Sequence, residues 1–182
     1  MPDLEALAQQ IKETGFCCQR CGRCCMPVEE HSNLVMVSPE EIRSISLATG
    51  LSWDEIAEPY PETIEDPAGR IYTIGWCIRR HAGECRFFIE NKCSIYSNRP
   101  WICRTYPFAL EGDELRIDPC PGIGTEISWD ETLDIARLLI EREDAEKKEE
   151  DAILRILKEE IIPDNTFVVI DSEGVRKISR NR

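Results

Sequence analysis

Apolar residues at Leu4, Leu7, Ala8 and Ile11 recur at helical spacing and predict a helix over residues 3–14, ended by Gly15. The run Leu34-Val35-Met36-Val37 has strand character. Ser38-Pro39-Glu40-Glu41 follows it with an N-cap serine, a proline at the first helical position and a glutamate placed to close a capping box. The helix it starts carries Ile42, Ile45 and Leu47 and stops near Gly50. Ser52-Trp53-Asp54-Glu55 repeats the same start for a short helix ending before Pro59, and residues 59–69 form a proline-rich loop. Ile71 to Ile78 reads as one strand, and Cys85 to Cys93 as a tight hairpin with Asn91-Lys92 at its tip. Asn98-Arg99-Pro100 caps a short helix carrying Cys103. Phe108–Leu110 and Glu114–Ile117 flank a Glu111-Gly112-Asp113 turn as a hairpin. Ser128 starts a helix with Leu133, Ala136 and Ile140 on one face. Its charged stretch, Glu141 to Asp151, belongs either to one long helix or to the join between two. Residues 166–170 and 175–178 make a final hairpin.

These elements predict an α+β fold: a small irregular cysteine-rich core clamped by short hairpins and helices, then a C-terminal helix and hairpin. We expect a division into residues 1–125, a cysteine-cluster metal-binding domain, and residues 126–182, an extension packed on the rest or swapped to a partner. The C-terminal helix is thus the candidate contact for a protein partner or a homodimer. At 182 residues and 42% hydrophobic, the chain can bury a core without leaning on metal alone. A net charge of −13 argues against nucleic-acid or anionic-membrane binding. Between Arg70 and Arg104, however, seven Arg/Lys face two Glu, a local balance of +5. The first residues lack the apolar stretch of a signal peptide, and no apolar run approaches the ~18 residues of a membrane span. A cytoplasmic location is expected, where stable disulfides are disfavoured.

That expectation turns attention to ten cysteines. Cys18-x2-Cys21-x2-Cys24 places three thiols on a tight loop whose amides can point at sulfur. The same spacing opens bacterial ferredoxin motifs, where a distant Cys-Pro completes the set; here Cys120-Pro121 has that form. Thiolate favours zinc, Cu(I) or iron–sulfur clusters. The later thiols Cys85, Cys93, Cys103 and Cys120 form no second C-x2-C knuckle, so a zinc ribbon fits poorly. An iron–sulfur cluster leads, with zinc as the alternative. Cys25 adjoins Cys24, and neighbouring side chains diverge, so the two are expected to serve different centres or opposite sides of one. Cys77, in an apolar strand pattern, reads as a buried inert thiol. His31 and His81 are minority ligand candidates.

Three segments carry a resemblance. They are Cys18-x2-Cys21-x2-Cys24-Cys25; then Cys85-Arg-Phe-Phe-x4-Cys93-Ser-Ile-Tyr-x2-Arg99-Pro100-x2-Cys103-Arg104-x-Tyr106-Pro107-Phe108; then Cys120-Pro-Gly. From about Phe16 to Gly122 the chain closely resembles the CxxCxxCC family, the YkgJ-like cysteine-cluster proteins, described as zinc- or iron-chelating. The resemblance implies Cys18, Cys21, Cys24, Cys25, Cys85, Cys93, Cys103 and Cys120 as the metal set, with Cys17 and Cys77 as additions. The family also includes flagellin lysine methylases, which would imply S-adenosylmethionine. The chain shows no Gly-rich loop after a strand, and Gly122-x-Gly124 alone does not make one.

Tyr96, Arg99, Arg104 and Tyr106 interleave with the later cysteines. The arginines are candidates to hydrogen-bond sulfur or receive an anionic substrate; alternatively they pair with local carboxylates while the tyrosines fill core. No P-loop, H-E-x-x-H or G-x-S-x-G occurs. The expected function is a metal-cluster protein for redox transfer or a cluster-dependent modification. Its alternative is a zinc-binding structural or interaction module, or a metal carrier, without enzymatic activity.

Overall fold

The computed structural model describes residues 3–27, 33–164 and 166–178. Asp3 caps helix α1 (Leu4–Thr14) by accepting from the Ala6 amide at 2.8 Å, and the helix buries Leu7, Ala8 and Ile11. After the cysteine loop come strand β1 (Met36–Val37) and helix α2 (Pro39–Thr49). The α2 capping box closes as its sequence predicts: Ser38 Oγ accepts from the Glu41 amide and Glu41 accepts from the Ser38 amide. The second capping box starts only a single turn, α3 (Trp53–Ile56). The chain then extends as β2 (Ala57–Pro59), which pairs with a central strand instead of remaining helical.

Residues 59–69, expected as loop alone, contain the two-residue strand β3 (Ile64–Glu65). The single strand expected over 71–78 is two, β4 (Ile71–Ile74) and β5 (Trp76–Ile78). Gly75 separates them at φ +78°, and its amide donates to Ile170 O at 2.8 Å. Glycine reaches that left-handed conformation without a Cβ penalty, so the chain turns a corner and leaves one sheet for another. The order β1-β5-β2 makes one small antiparallel sheet.

Two hairpins replace the one expected around the later cysteines: β6 (Arg80–His81) with β7 (Glu84–Cys85), and β8 (Phe88–Ile89) with β9 (Lys92–Cys93). The tip of the second is Glu90-Asn91, both at positive φ, one residue earlier than expected. Positive φ at both turn residues matches the twist of a two-residue hairpin. Helix α4 (Trp101–Thr105) follows, then the hairpin of β10 (Phe108–Glu111) and β11 (Glu114–Ile117).

Helix α5 (Trp129–Glu159) is continuous through its charged middle, which settles the choice between one helix and two. Its buried stripe is Thr132, Ala136 and Leu139; Leu133 and Ile140 lie at the margin of the same cluster. Its first half packs on α1. Its second half, through Ile153, Ile156 and Leu157, covers β12 (Val168–Asp171) and β13 (Gly174–Lys177). These two strands form the expected hairpin, but β12 also pairs in parallel with β4, giving the sheet order β13-β12-β4-β3. A third cluster, of Val35, Ile45, Ile56, Trp76, Phe87 and their neighbours, lies between α2 and the hairpins. Among the described residues no helix is long and apolar enough to cross a membrane.

Candidate metal centre

The cysteine loop is held at both ends. The Cys17 amide donates to Gly122 O at 3.0 Å and the Gly124 amide to Gly15 O at 3.0 Å, so the first cysteines lie beside Cys120. At the other end Asn33 Nδ2 donates to Cys25 O at 3.1 Å and to Gly83 O at 2.8 Å, tying the loop to the β6–β7 turn. Between these anchors Gly22 sits at φ +73°, and a Cβ there would collide with the Phe88 ring. Only glycine meets both demands. It starts the 3-10 turn Arg23–Cys25, which turns Cys24 and Cys25 toward the hairpins. Cys85 ends β7, Cys93 ends β9, and Cys103 projects from α4. The Trp101 amide at the start of α4 donates to Glu41 Oε1 at 2.7 Å, so one carboxylate serves the starts of both α2 and α4.

This framework gathers Cys18, Cys21, Cys24, Cys25, Cys85, Cys93, Cys103 and Cys120 around one cavity of about 340 Å³. Its floor is apolar, made by Val35, Ile78, Phe87 and Ile95 from the core beneath. Cys18, Cys21 and Cys24 stand exposed at the mouth, and the other five are half-buried. Cys17 is exposed and outside the lining; Cys77 is fully buried on β5, with Glu58 O 3.7 Å from its sulfur. His81, exposed on β6, does not border the cavity, and His31 lies outside the described residues.

Cys24 and Cys25, adjacent in the chain, both line this one cavity. The tight 3-10 turn brings Cys25 into hydrogen-bond contact with both Cys24 and Cys85. Its proton is shared toward those two sulfurs, which lowers Cys24 to about 6 and lowers Cys85, with Cys25 itself raised. The Arg99 charge also favours the Cys24 thiolate. Burial raises Cys93 and Cys103, and neighbouring thiolates add to the rise. Among the described residues no group of three or more His, Cys, Asp or Glu is already drawn in as a ligand set for one ion. The eight sulfurs line one cavity. The donor set fits zinc or iron: soft thiolates, partly depressed acidity, and no carboxylate at the cavity wall.

The wall also carries Arg20, Arg23, Lys92 and Arg99, and no Asp or Glu. Arg99 stacks on the Tyr96 ring with its guanidinium carbon 3.8 Å from the centroid, and donates to Cys103 O at 3.1 Å. Arg20 stacks on the same ring at 4.4 Å. Tyr106 borders the cavity and donates its hydroxyl to Pro119 O at 2.7 Å; burial first, then the nearby Cys120 and Asp118 charges, push it up to about 12. Arg104 does not border the cavity; it stacks on Trp101 at 3.9 Å. Of the basic stretch 79–104, expected to face the metal region and offset its charge, Lys92 and Arg99 line the cavity, whereas Arg79 and Arg80 lie near Glu58. Arg20 and Arg23 take their place. The signal for them was present, since each directly precedes a cysteine of the motif.

A family model described as "CxxCxxCC: Putative zinc- or iron-chelating domain" matches residues 17–129. The chain belongs to the CxxCxxCC family. The match takes in all eight cavity thiols together with Cys17 and Cys77, and it ends where α5 begins. Metal chelation is therefore the domain's role, with the choice between zinc and iron left open by the family description. A curated relative, the uncharacterized protein MJ0661 of Methanocaldococcus jannaschii, is 26% identical over 96 residues. The alignment covers 52% of this chain and 45% of that protein, so the chain spans under half of its length. No solved structure matches this CxxCxxCC chain.

Proposed function

We propose that this CxxCxxCC protein holds one or more iron–sulfur clusters and serves redox transfer or a cluster-dependent modification reaction in the cytoplasm. The observation that carries this reading is the composition of one wall: eight thiols and four cations around a single cavity, with no carboxylate. One tetrahedral zinc uses four thiolates. Eight exceed that, and their irregular spacing suits a polynuclear centre better than a zinc ribbon. When bound, such a cluster supplies one-electron chemistry tuned by hydrogen bonds and nearby charge. Cys18, Cys21, Cys24, Cys25, Cys85, Cys93, Cys103 and Cys120 are the proposed ligands. Arg99, stacked on Tyr96, offsets their charge, and Tyr106 steadies the Cys120 loop. In this reading residues 1–125 carry every ligand, and 126–182 form the scaffold that holds α1 and β4.

The exposure of Cys18, Cys21 and Cys24 favours a second reading, a zinc module or metal carrier, because open ligand positions allow exchange. Anaerobic purification with metal and sulfide analysis separates the two. The expected product is coloured, contains iron and acid-labile sulfide in equal amounts, and bleaches with dithionite. Colourless protein with stoichiometric zinc and no sulfide sinks the cluster and establishes the alternative.

A further inference from the structure

Eight thiols are twice what one zinc ion or one four-iron cluster takes. Their surroundings divide them equally. Cys25, Cys85, Cys93 and Cys103 are half-buried, and the last three pack against the apolar cluster of Val35, Phe87 and Ile95. The Ser94 amide and hydroxyl both donate to Phe87 O, at 2.8 and 3.1 Å, which ties the residue after Cys93 to a residue just beyond Cys85. Arg99 holds the Cys103 carbonyl at 3.1 Å, and the 3-10 turn sets Cys25 against Cys85. Two hairpins, a helix and the end of the cysteine loop thus present four thiols over one patch of core.

The other four lie outside that patch. Cys18, Cys21 and Cys24 are exposed. Cys120 is half-buried but does not pack against the apolar cluster. Its segment is instead tied to the first cysteines by the Phe16–Ile123 bridge and by the Cys17 amide on Gly122 O. The Gly122 amide also donates to Cys120 Sγ at 3.5 Å, the kind of contact that supports a thiolate. The spacing agrees with this division. Cys18-x2-Cys21-x2-Cys24 is the pattern that gives three ligands to one cluster in bacterial ferredoxins, and Cys25 falls outside it.

We propose that the cavity holds two four-thiolate centres, an outer one on Cys18, Cys21, Cys24 and Cys120 and an inner one on Cys25, Cys85, Cys93 and Cys103. The inference rests on the metal reading and adds to it a division of labour. The inner centre fastens the hairpins and α4 to the core. The outer centre, open to solvent, is the one that exchanges metal or electrons. Cys24 and Cys25, adjacent in the chain, belong to different centres.

Metal release to excess chelator, bathophenanthroline disulfonate for iron and 4-(2-pyridylazo)resorcinol for zinc, tests this on anaerobically purified protein. Wild type releases its metal in two phases of equal amplitude, because the chelator reaches the exposed thiolates first. Cys24→Ser and Cys120→Ser each carry half the metal and lack the fast phase. Cys25→Ser and Cys103→Ser each carry half and lack the slow one. The wild-type trace needs no variant, so a variant that fails to fold leaves the test standing. Fully loaded protein that releases its metal in a single phase overturns the division and leaves the metal reading intact. Equal metal loss and the same remaining phase in Cys24→Ser and Cys25→Ser do the same. Two zinc ions per chain, released in two phases, uphold the division while removing the cluster. Protein that takes up neither metal overturns both.

Discussion

Cys77 shows what decides a thiol's role at the scale of single residues. It is fully buried, its sulfur faces backbone carbonyls, and burial, then the Glu58 charge, push it up to about 11 from 9.0. A buried thiol of that kind is inert. Cys77→Ala should keep the full metal content and cost about 1–2 kcal/mol in packing, measured by denaturant unfolding. Its titration adds a signature. The folded value lies above the unfolded one, so its contribution is complete below pH 9.0 and is lost as the pH rises toward about 11. That decline should be shallower in Cys77→Ala; an equal slope contradicts the assignment. Cys21→Ser and Cys93→Ser should instead lower metal content, and full occupancy in both sinks the ligand set. The cysteine spacing made the ligand candidates legible, because a two-residue gap constrains where sulfur can go. The cations were less legible. Arg20 and Arg23 reach the cavity through a left-handed residue and a 3-10 turn, which local composition does not reveal. Counting charge over 70–104 caught Lys92 and Arg99 but also arginines that meet neighbouring carboxylates, Arg70 with Asp66 and Arg80 with Glu58.

Among the elements, the capping boxes at Ser38, Ser52 and Ser128 were readable because their contacts span only three residues. The second use of Glu41 was not. Its other oxygen accepts the Trp101 amide, sixty residues away, and so sets the start of the helix that presents Cys103. Glu41→Ala should therefore uncap two helices at once and cost about 2–3 kcal/mol, with weaker metal retention than its effect on α2 alone explains. Glu41→Gln should keep part of both contacts. Equal metal affinity in wild type and Glu41→Ala contradicts the coupling between α2 and α4. Helix α5 offers a different case. Its charged middle reads as an exposed face, yet Arg142 turns inward to Thr105 at 2.9 Å. Glu149 is also drawn in: burial raises it, a Ser172 hydrogen bond opposes this, and the Asp171, Glu41 and Glu173 charges raise it further. A raised carboxyl contributes its full stability below its unfolded value of 4.5, and that contribution falls as pH rises through the folded one. Glu149→Gln should raise the melting temperature at pH 7, with the gain vanishing near pH 4.

Across the whole molecule, the least legible feature is the parallel pairing of β12 with β4, in which Val168 faces Tyr72 and Ile170 faces Ile74. Nothing in either segment names the other, since parallel register depends on contacts about a hundred residues apart. The pairing is nonetheless central to the fold. Val168, Val169 and Ile170 are fully buried, and Asp171 accepts from Trp76 Nε1 at 2.7 Å beside the corner where β4 becomes β5. The first half of α5 likewise covers Leu7, Ala8 and Ile11 on α1, just ahead of the cysteine loop. Residues 126–182, which carry no cysteine, thus pack on both α1 and β4. Ending the chain at residue 125 would expose the α1 face and open the edge of β4, and an uncovered hydrophobic face with an unpaired strand edge favours association. The truncated protein is expected to aggregate or unfold without a cooperative transition, and to lose metal even though every candidate ligand remains. Size-exclusion chromatography, thermal unfolding and metal analysis together check this. A monomeric, cooperatively folded fragment that retains its metal would show that the cysteine domain stands alone and that α5 and its hairpin serve another purpose.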